Sequence, residues 1–228
     1  MNILTIREIV FDAYGTVFNV DYVSEGCENE YPGQGKLISQ KWRRRQLEHT
    51  WLLALMHRYA DFETVTRDAL QITLNELNLE YTPKILEDLY ALYLELKPFP
   101  DVKQALSELQ RSVKLSILSN GTEKMLQELI LHTGLASYFA RVMTADAVQT
   151  YKPDPRVYDL VVRNSNLSSK DEILFVSANE WDAAGSKAFG FKTVHINRVI
   201  QRPVKEWSEL SADYEIADLD GLIQFSDS

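Results

Sequence analysis

The sequence contains very little cysteine: Cys27 is the single thiol among 228 residues. One thiol cannot form an internal disulfide or a thiolate-rich metal site, which favours a reducing compartment. The sequence also lacks an apolar run long enough to span a bilayer, and its N-terminal segment, MNILTIREIV, has no signal-peptide pattern. Together these absences predict a cytoplasmic protein without a membrane partner.

Basic residues are in deficit as well. The chain has 24 lysines and arginines against 33 acidic residues, a net charge of −9 at pH 7. Such a balance argues against nucleic acid or an anionic membrane surface as partner, and an anionic substrate would need a local cationic site. Hydrophobic residues make up 45% of the chain and charged residues 25%, as is typical of a globular protein with a sizeable core.

One apolar stretch ends abruptly in an acid. Residues 9–11 are β-branched or aromatic, which predicts a buried parallel strand. Asp12 follows directly, and Gly15 permits a sharp exit from the strand. We therefore expect Asp12 at the carboxyl edge of a sheet, where open α/β folds bind ligands. An aspartate in this position can also serve only as a turn or cap residue.

Helical patterns without an intervening strand follow this stretch. Three successive helices are predicted, over 36–60, from the N-cap Asp61 to Leu77, and from Thr82-Pro83 onward. Such a series does not belong to a strand–helix–strand repeat. We interpret residues 18–97 as an inserted helical cap, and residues 1–17 and 98–228 as the core domain.

From Asp101 the pattern alternates between helices and strands. Strands are predicted at 113–118, 141–144, 173–176 and 192–196, with helices between them and a last pair of elements near Glu215 and Leu219. Strands separated by helices predict a doubly wound parallel sheet. The expected fold class is α/β, with a Rossmann-like core and an inserted helical cap.

Polar residues cluster after these strands. Ser119 and Asn120 follow the second strand, and Ser177, Asn179 and Asp182 follow a later one. A turn that opens onto a helix can bind an anion through its N–H groups, although helix capping also explains a serine there.

Lys152 is another candidate, because the prolines around it restrict the backbone. Asp182 is its predicted partner. Lys152 could also be a solvated surface residue, Tyr158 could be ordinary core, and the spacing of Ser177 and Glu180 also matches a capping box.

Four strings together resemble the haloacid dehalogenase superfamily, and more narrowly the L-2-haloacid dehalogenases. They are FDAYGT at 11–16, LSNGT at 118–122, YKPDPRVY at 151–158 and FVSANEWDAAG at 175–185. The likeness covers nearly the whole chain. Phosphatases of the superfamily carry a second aspartate two positions after the nucleophile. Tyr14 stands there in this chain, which disfavours phosphoryl transfer.

The resemblance implies hydrolysis of (S)-2-haloalkanoic acids to (R)-2-hydroxy acids. Halide would leave as Asp12 forms an ester with inversion at C2, without a metal or cofactor. The implied catalytic residues are Asp12, Thr16, Arg43, Ser119, Lys152, Tyr158, Ser177, Asn179 and Asp182. The implied substrate-binding residues are Ala13, Tyr14, Arg43, Leu47, Phe62, Ser119, Asn120 and Trp181. The resemblance also implies a homodimer.

Arg43 is the implied cation for the leaving halide. Helical periodicity places it on one face with Ser39, Leu47 and Trp51, while Arg45 lies on another face. Arg44 departs from the uncharged polar residue that similar sequences often have. Two rival functions remain open at this stage: a magnesium-dependent phosphatase or phosphonatase, and a catalytically silent member that binds a carboxylate or a protein.

Overall fold

The computed structural model describes residues 6–198 and 209–226. Its strands are β1 (Glu8–Phe11), β2 (Lys114–Ser119), β3 (Arg141–Thr144), β4 (Ile173–Ser177), β5 (Lys192–Ile196) and β6 (Tyr214–Ile216). They form one parallel sheet in the order β3-β2-β1-β4-β5-β6. The strand order therefore reverses direction at β1, and the carboxyl ends of β1, β2 and β4 meet at one edge.

Four helices lie between β1 and the rest of the sheet in the chain. They are α1 (Val23–Glu30), α2 (Gly35–Leu55), α3 (Phe62–Glu76) and α4 (Pro83–Ala91). Both predicted caps are confirmed. The Asp61 carboxylate accepts from the Thr64 N–H at 2.7 Å, and the Thr82 hydroxyl accepts from the Ile85 N–H at 3.2 Å. We call these four helices the lid.

The first lid helix is an addition to the three that were predicted. Its sequence is acidic and has Gly26 in the middle, which hides a helical pattern. Val23 and Cys27, one turn apart, are buried and hold α1 in place. Gly26 allows close packing, because a Cβ there would lie within 3 Å of both methyl carbons of Leu92. The low helix propensity of glycine is thus overridden by close contact with the lid interior.

Helix α2 ends five residues before the predicted end at Ala60. His57 adopts a left-handed conformation with φ of +52°. The His57 N–H donates to the Ala54 carbonyl at 3.1 Å and the Arg58 N–H to the Leu53 carbonyl at 2.9 Å. This pair of bonds is a Schellman motif, in which glycine is the usual residue. Because histidine occupies that position, the sequence contains no visible stop signal.

The remaining helices alternate with the strands. They are α5 (Val102–Leu109), α6 (Glu123–His132), α7 (Pro155–Asn164), α8 (Glu180–Phe189) and α9 (Asp220–Ser226). Helix α5 packs against α9, and α7 packs against α8. The predicted doubly wound α/β fold is confirmed. Residues 1–5, 199–208 and 227–228, which the prediction assigns to the core, lie outside the described residues.

Two short segments connect the sheet with the lid and run antiparallel to each other. The Phe99 N–H donates to the Val17 carbonyl at 3.1 Å, and the Asn19 N–H donates to the Lys97 carbonyl at 2.8 Å. The proposed boundary between core and cap falls within these segments, and the division into two domains stays a prediction. In the described part of the chain, every helix is too short or too polar to cross a bilayer.

Candidate active site

The carboxylate of Asp12 is buried immediately beyond β1 and held by three side chains. The Asp12 N–H donates to the Val176 carbonyl at 2.9 Å, which fixes this residue at the end of the β1–β4 pair. Lys152 Nζ lies 3.0 Å from Oδ1, and Oδ2 accepts from Thr16 Oγ1 at 3.0 Å and from Asn179 Nδ2 at 2.8 Å. The side chain is only 9% exposed. The carboxylate is therefore both oriented and largely desolvated.

The loop after Asp12 folds back tightly. Gly15 takes a φ of +91°, a conformation that side chains disfavour, and its N–H donates to the Phe18 carbonyl at 2.8 Å. The Ala13 carbonyl accepts from the Phe18 N–H at 3.0 Å. The Thr16 hydroxyl, besides donating to Asp12, accepts from the Ala178 N–H at 2.8 Å. Thr16 thus connects the Asp12 loop to the end of β4.

Lys152 bridges two carboxylates. Its ammonium lies 3.0 Å from Asp12 Oδ1 and 2.8 Å from Asp182 Oδ2, and its side chain is 1% exposed. The ion pair predicted between Lys152 and Asp182 is therefore present. Burial opposes the charge on Lys152, but the two carboxylates outweigh this effect and raise its pKa. The cluster holds two negative charges against one positive charge when both acids are ionised.

Asp182 sits in the first turn of α8 and is fully buried. Burial raises its pKa to about 6, while Lys152 acts in the opposite direction and Asp12 adds to the increase. The Tyr158 hydroxyl donates to Asp182 Oδ1 at 2.7 Å. Gly185 lies beside this hydroxyl, since a Cβ there would be 2.6 Å from it. Burial and the Asp182 charge raise the pKa of Tyr158, which keeps its proton available for this hydrogen bond.

The other polar residues at the strand ends satisfy backbone groups. Ser119 Oγ accepts from the Gly121 N–H at 3.1 Å, and Ser177 Oγ accepts from the Asn179 N–H at 3.1 Å. Asn120 Oδ1 accepts from the Lys152 N–H at 2.9 Å. These bonds shape the turns that carry the cluster.

The capping-box interpretation of Ser177 and Glu180 is wrong. Helix α8 begins with Asn179 at its N-cap and has no side-chain cap bond. The reason is that Ser177 is still the last residue of β4, two residues before the N-cap, so its hydroxyl accepts from the Asn179 N–H and not from an N–H of the first helical turn.

Arg43 projects from α2 and is positioned by the lid interior. Its Nη1 donates to Gln46 Oε1 at 2.6 Å, and Gln46 Nε2 donates to Thr66 Oγ1 at 2.7 Å. The Trp42 indole donates to the Thr66 carbonyl at 2.8 Å. Arg43 therefore hydrogen-bonds to Gln46 and not to Asp12. By contrast, Arg44 is 80% exposed and pairs with Glu48 at 2.8 Å.

Arg43 also lines a cavity of about 450 Å³. Ser39, Leu47 and Trp51 line the same cavity, as the predicted helix face requires. Trp51 meets Trp181 edge to face, with ring centroids 5.5 Å apart. The cavity thus places the Arg43 guanidinium among apolar side chains and two carboxylates, those of Asp21 and Glu48, next to the point where α2 approaches the first turn of α8. The side chains of the Asp12 cluster do not line it.

Tyr14, in the loop after Asp12, packs against the lid. Its ring centroid is 5.6 Å from that of Phe62, and its buried hydroxyl has no hydrogen-bond partner among the described residues. Burial raises the pKa of Tyr14, nearby tyrosines and Asp12 add to the increase, and Arg43 lowers it. The charges of Asp12 and Arg43 therefore both influence the pKa of the Tyr14 phenol. Gly121, which sequence reasoning missed, allows this placement, because a Cβ there would be 2.8 Å from the Tyr14 ring.

The structure thus joins six predicted residues in one hydrogen-bonded cluster: Asp12, Thr16, Lys152, Tyr158, Asn179 and Asp182. Ser119 and Ser177 bond to backbone N–H groups at the strand ends instead. Arg198 and Asp101 were not predicted. Arg198 follows β5 by two residues, so the same signal that identified Asp12, a polar residue just after a strand, could have found it.

Fold and cluster define the class: a doubly wound α/β protein with an inserted helical lid and a buried carboxylate–ammonium–carboxylate cluster at its sheet edge. Residues 6–190 match the family model described as haloacid dehalogenase-like hydrolase. The (S)-2-haloacid dehalogenase of Pseudomonas sp. (strain YL) is 42% identical over 220 residues, 96% of this chain and 94% of that protein. That of Xanthobacter autotrophicus is 46% identical over 196 residues, 86% of this chain and 77% of that protein.

A solved structure gives the same result. The L-2-haloacid dehalogenase from Xanthobacter autotrophicus matches with a TM-score of 0.89 and 38% identity, over 98% of this chain and 99% of that one. A second structure of that protein has chloropropionic acid covalently bound. The chain belongs to the haloacid dehalogenase-like hydrolases, and within them to the L-2-haloacid dehalogenases.

Proposed function

We propose that this chain hydrolyses (S)-2-haloalkanoic acids to (R)-2-hydroxy acids and halide. The observation that carries the proposal is the setting of Asp12. Its carboxylate is buried and held by Lys152, Thr16 and Asn179, and the charges of Asp12 and of the lid residue Arg43 both act on the pKa of Tyr14. The relatives named above act on this substrate class, which supports the same assignment.

The first step is a displacement at carbon. A carboxylate oxygen of Asp12 forms a bond to C2 on the side opposite the halogen, and halide leaves with the electron pair of the broken bond. Configuration at C2 inverts. Halide is a weak base that needs no proton, but its developing charge needs a cation, and we assign this role to Arg43, which lies beside Leu47 and Trp51 in a cavity that Asp21 and Glu48 also line.

The second step hydrolyses the ester. Water attacks the carbonyl carbon of the Asp12 ester, Asp182 accepts one of its protons, and Asp182 returns that proton to the hydroxy-acid oxygen as the bond to it breaks. The other water proton is released to solvent when Asp12 ionises again. A base with a pKa of about 6 is matched to this task near neutral pH. Tyr158 and Lys152 orient Asp182, and Ser177 supports the loop that carries Asn179. The substrate carboxylate binds at Ser119, Asn120 and the N–H groups of Ala13 and Tyr14.

The proposed reaction needs no metal or cofactor. Tyr14 occupies the position where an acid would serve a phosphoryl-transfer reaction, and its raised pKa makes it a poor proton donor for an alkoxide. Release of halide in the presence of a chelator is therefore expected. Phosphate release stimulated by magnesium, without halide release, would favour a phosphatase instead.

The test is a halide-release screen with both enantiomers of 2-chloropropionate, with and without magnesium. We expect release from the (S) enantiomer alone, with (R)-lactate as the organic product. Asp12→Asn should fold but release no halide, since an amide is not a competent nucleophile. The variant must be checked by mass for deamidation back to aspartate. Full activity in an Asp12→Asn protein of verified mass would remove Asp12 from this role.

Two further features belong to the proposal. We infer a homodimer that buries the exposed apolar side chains of α2, since Leu52, Leu55 and Met56 are each more than half exposed near its end. Sedimentation equilibrium tests this, and a monomer mass at all concentrations would contradict it. Buried Cys27, whose thiol has a pKa raised by burial to about 12, agrees with a reducing cytoplasmic setting.

A further inference from the structure

Arg198 lies outside the cluster described above, at the carboxyl end of β5, and its side chain is 16% exposed. Its Nη2 donates to the Thr16 carbonyl at 3.0 Å. Its Nη1 lies 2.9 and 3.0 Å from the two carboxylate oxygens of Asp101. Its guanidinium also stacks on the Phe99 ring, 3.8 Å from the centroid. One side chain therefore contacts three residues on two separate parts of the chain.

These contacts lie on the two segments that join the sheet to the lid. Thr16 precedes the outgoing segment, while Phe99 and Asp101 belong to the returning one. The two segments are themselves paired through the Phe99 N–H and the Val17 carbonyl. Asp101 is fixed further, because its Oδ2 accepts from the Leu219 N–H at 2.7 Å. Arg198 thus joins both connections to the end of β5.

Thr16 makes this arrangement relevant to chemistry. Its hydroxyl donates to the nucleophile Asp12, and its carbonyl is held by Arg198. A shift of the Thr16 backbone would move the hydroxyl away from the carboxylate oxygen that it orients. Displacement at carbon demands an aligned nucleophile, so small losses of alignment reduce the rate.

We propose that Arg198 is a positioning residue for the dehalogenation reaction, acting through Thr16 on Asp12 and through Asp101 and Phe99 on the lid connection. This inference rests on the proposed function. Arg198 and Asp101 form a neutral pair, so the effect is geometric and adds no net charge to the site. The planar guanidinium is suited to the role, because it can bind a carboxylate, reach a carbonyl and stack on a ring simultaneously.

The chain offers a matched control at the opposite end of the sheet. Arg141 also pairs with a buried carboxylate, that of Glu8, and also donates to a backbone carbonyl, that of Asn164. Glu8 begins β1, whereas Asp12 follows its end. Arg198→Met and Arg141→Met therefore remove similar interactions, but only one of them contacts the nucleophile loop.

The experiment compares both variants with the wild-type chain in two ways. Single-turnover mass spectrometry with (S)-2-chloropropionate measures ester formation on Asp12, and steady-state assays give kcat and KM. For Arg198→Met we expect ester formation slower by about tenfold or more, with KM within about threefold of wild type. Arg141→Met should keep the wild-type rate even where its melting temperature falls. Arg198→Lys keeps the positive charge but loses the forked guanidinium. Its rate of ester formation should lie between those of Arg198→Met and the wild type.

Hydrogen exchange of the peptides covering residues 12–19 and 97–101 provides a readout independent of turnover. Faster exchange in Arg198→Met, but not in Arg141→Met, is expected. The inference would be overturned if Arg198→Met kept the wild-type rate of ester formation and the wild-type hydrogen exchange. An equal decrease of the rate in both methionine variants would overturn it too. If Arg198→Met does not fold, Arg198→Lys decides by the same two measurements. A wild-type chain inactive on every 2-haloalkanoate overturns the proposed function instead, and the exchange data then decide whether Arg198 holds the loop.

Discussion

Replacing Asp182 with asparagine should change how the stability of the protein depends on pH. Burial raises the pKa of Asp182 from 3.8 to about 6, despite the opposing effect of Lys152. The folded protein therefore holds this proton more tightly than the unfolded chain does. Between about pH 4 and about pH 6 the folded state binds more protons, so the free energy of unfolding falls as the pH rises.

The magnitude follows from the size of the pKa change. At about 1.4 kcal/mol for each tenfold change in proton affinity, ionisation of Asp182 lowers the stability of the folded state by about 3 kcal/mol across this interval. Asparagine does not titrate. Its side-chain oxygen can still accept the hydrogen bond from Tyr158, but its NH₂ group faces the Lys152 ammonium, so two donors oppose each other. The resulting loss of stability does not vary over the same pH range.

Urea unfolding of the wild type and Asp182→Asn at a series of pH values measures the effect. Subtracting the two curves cancels the titration of groups that the substitution does not affect. We expect the difference to change by about 3 kcal/mol between about pH 4 and pH 7, in favour of the variant at the higher pH. Parallel curves would refute the claim that the folded state perturbs Asp182. The variant should also release one halide per site and then stop, because its ester is not hydrolysed.

Two further outcomes are expected in the lid and the nucleophile loop. Arg43→Met should lower kcat/KM by about a hundredfold or more, because the positive charge that stabilises the leaving halide is lost. Arg44 is exposed, so Arg44→Met should keep kcat/KM within about threefold of wild type in the same halide assay. Tyr14→Phe should raise the free energy of unfolding by about 1 kcal/mol, because it removes a buried hydroxyl that lacks a partner among the described residues. A loss of stability in urea unfolding would show that this hydroxyl is satisfied.

Much of the site could be predicted because parallel strands align their ends. Asp12, Ser119 and Ser177 each lie at or just beyond the end of a strand. Polar residues that follow apolar runs in the sequence can therefore be predicted to lie close together at one edge of the sheet. Caps such as Asp61 are similarly local, since the side chain and the N–H it accepts from are three residues apart.

The features that were missed depend on distant contacts. Gly26 looks like a helix breaker until Leu92, far along the chain, is seen to pack against it. His57 ends α2 in a conformation that no local pattern indicates. Arg198 meets Thr16 across 182 positions of sequence, and neither residue alone suggests the contact. Packing between elements decides these positions, and a pattern with a period of a few residues does not contain that information.

The charges of the site explain why the lid must take part in binding. With Asp12 and Asp182 ionised, the sheet edge holds a net negative charge beside Lys152, which repels the carboxylate of a haloacid. Arg43, on α2, provides a full positive charge that acts on the same region, as its influence on the Tyr14 phenol indicates. In the proposed reaction, the sheet therefore carries the nucleophile and the base, and the lid carries the positive charge that admits an anion and stabilises the departing halide.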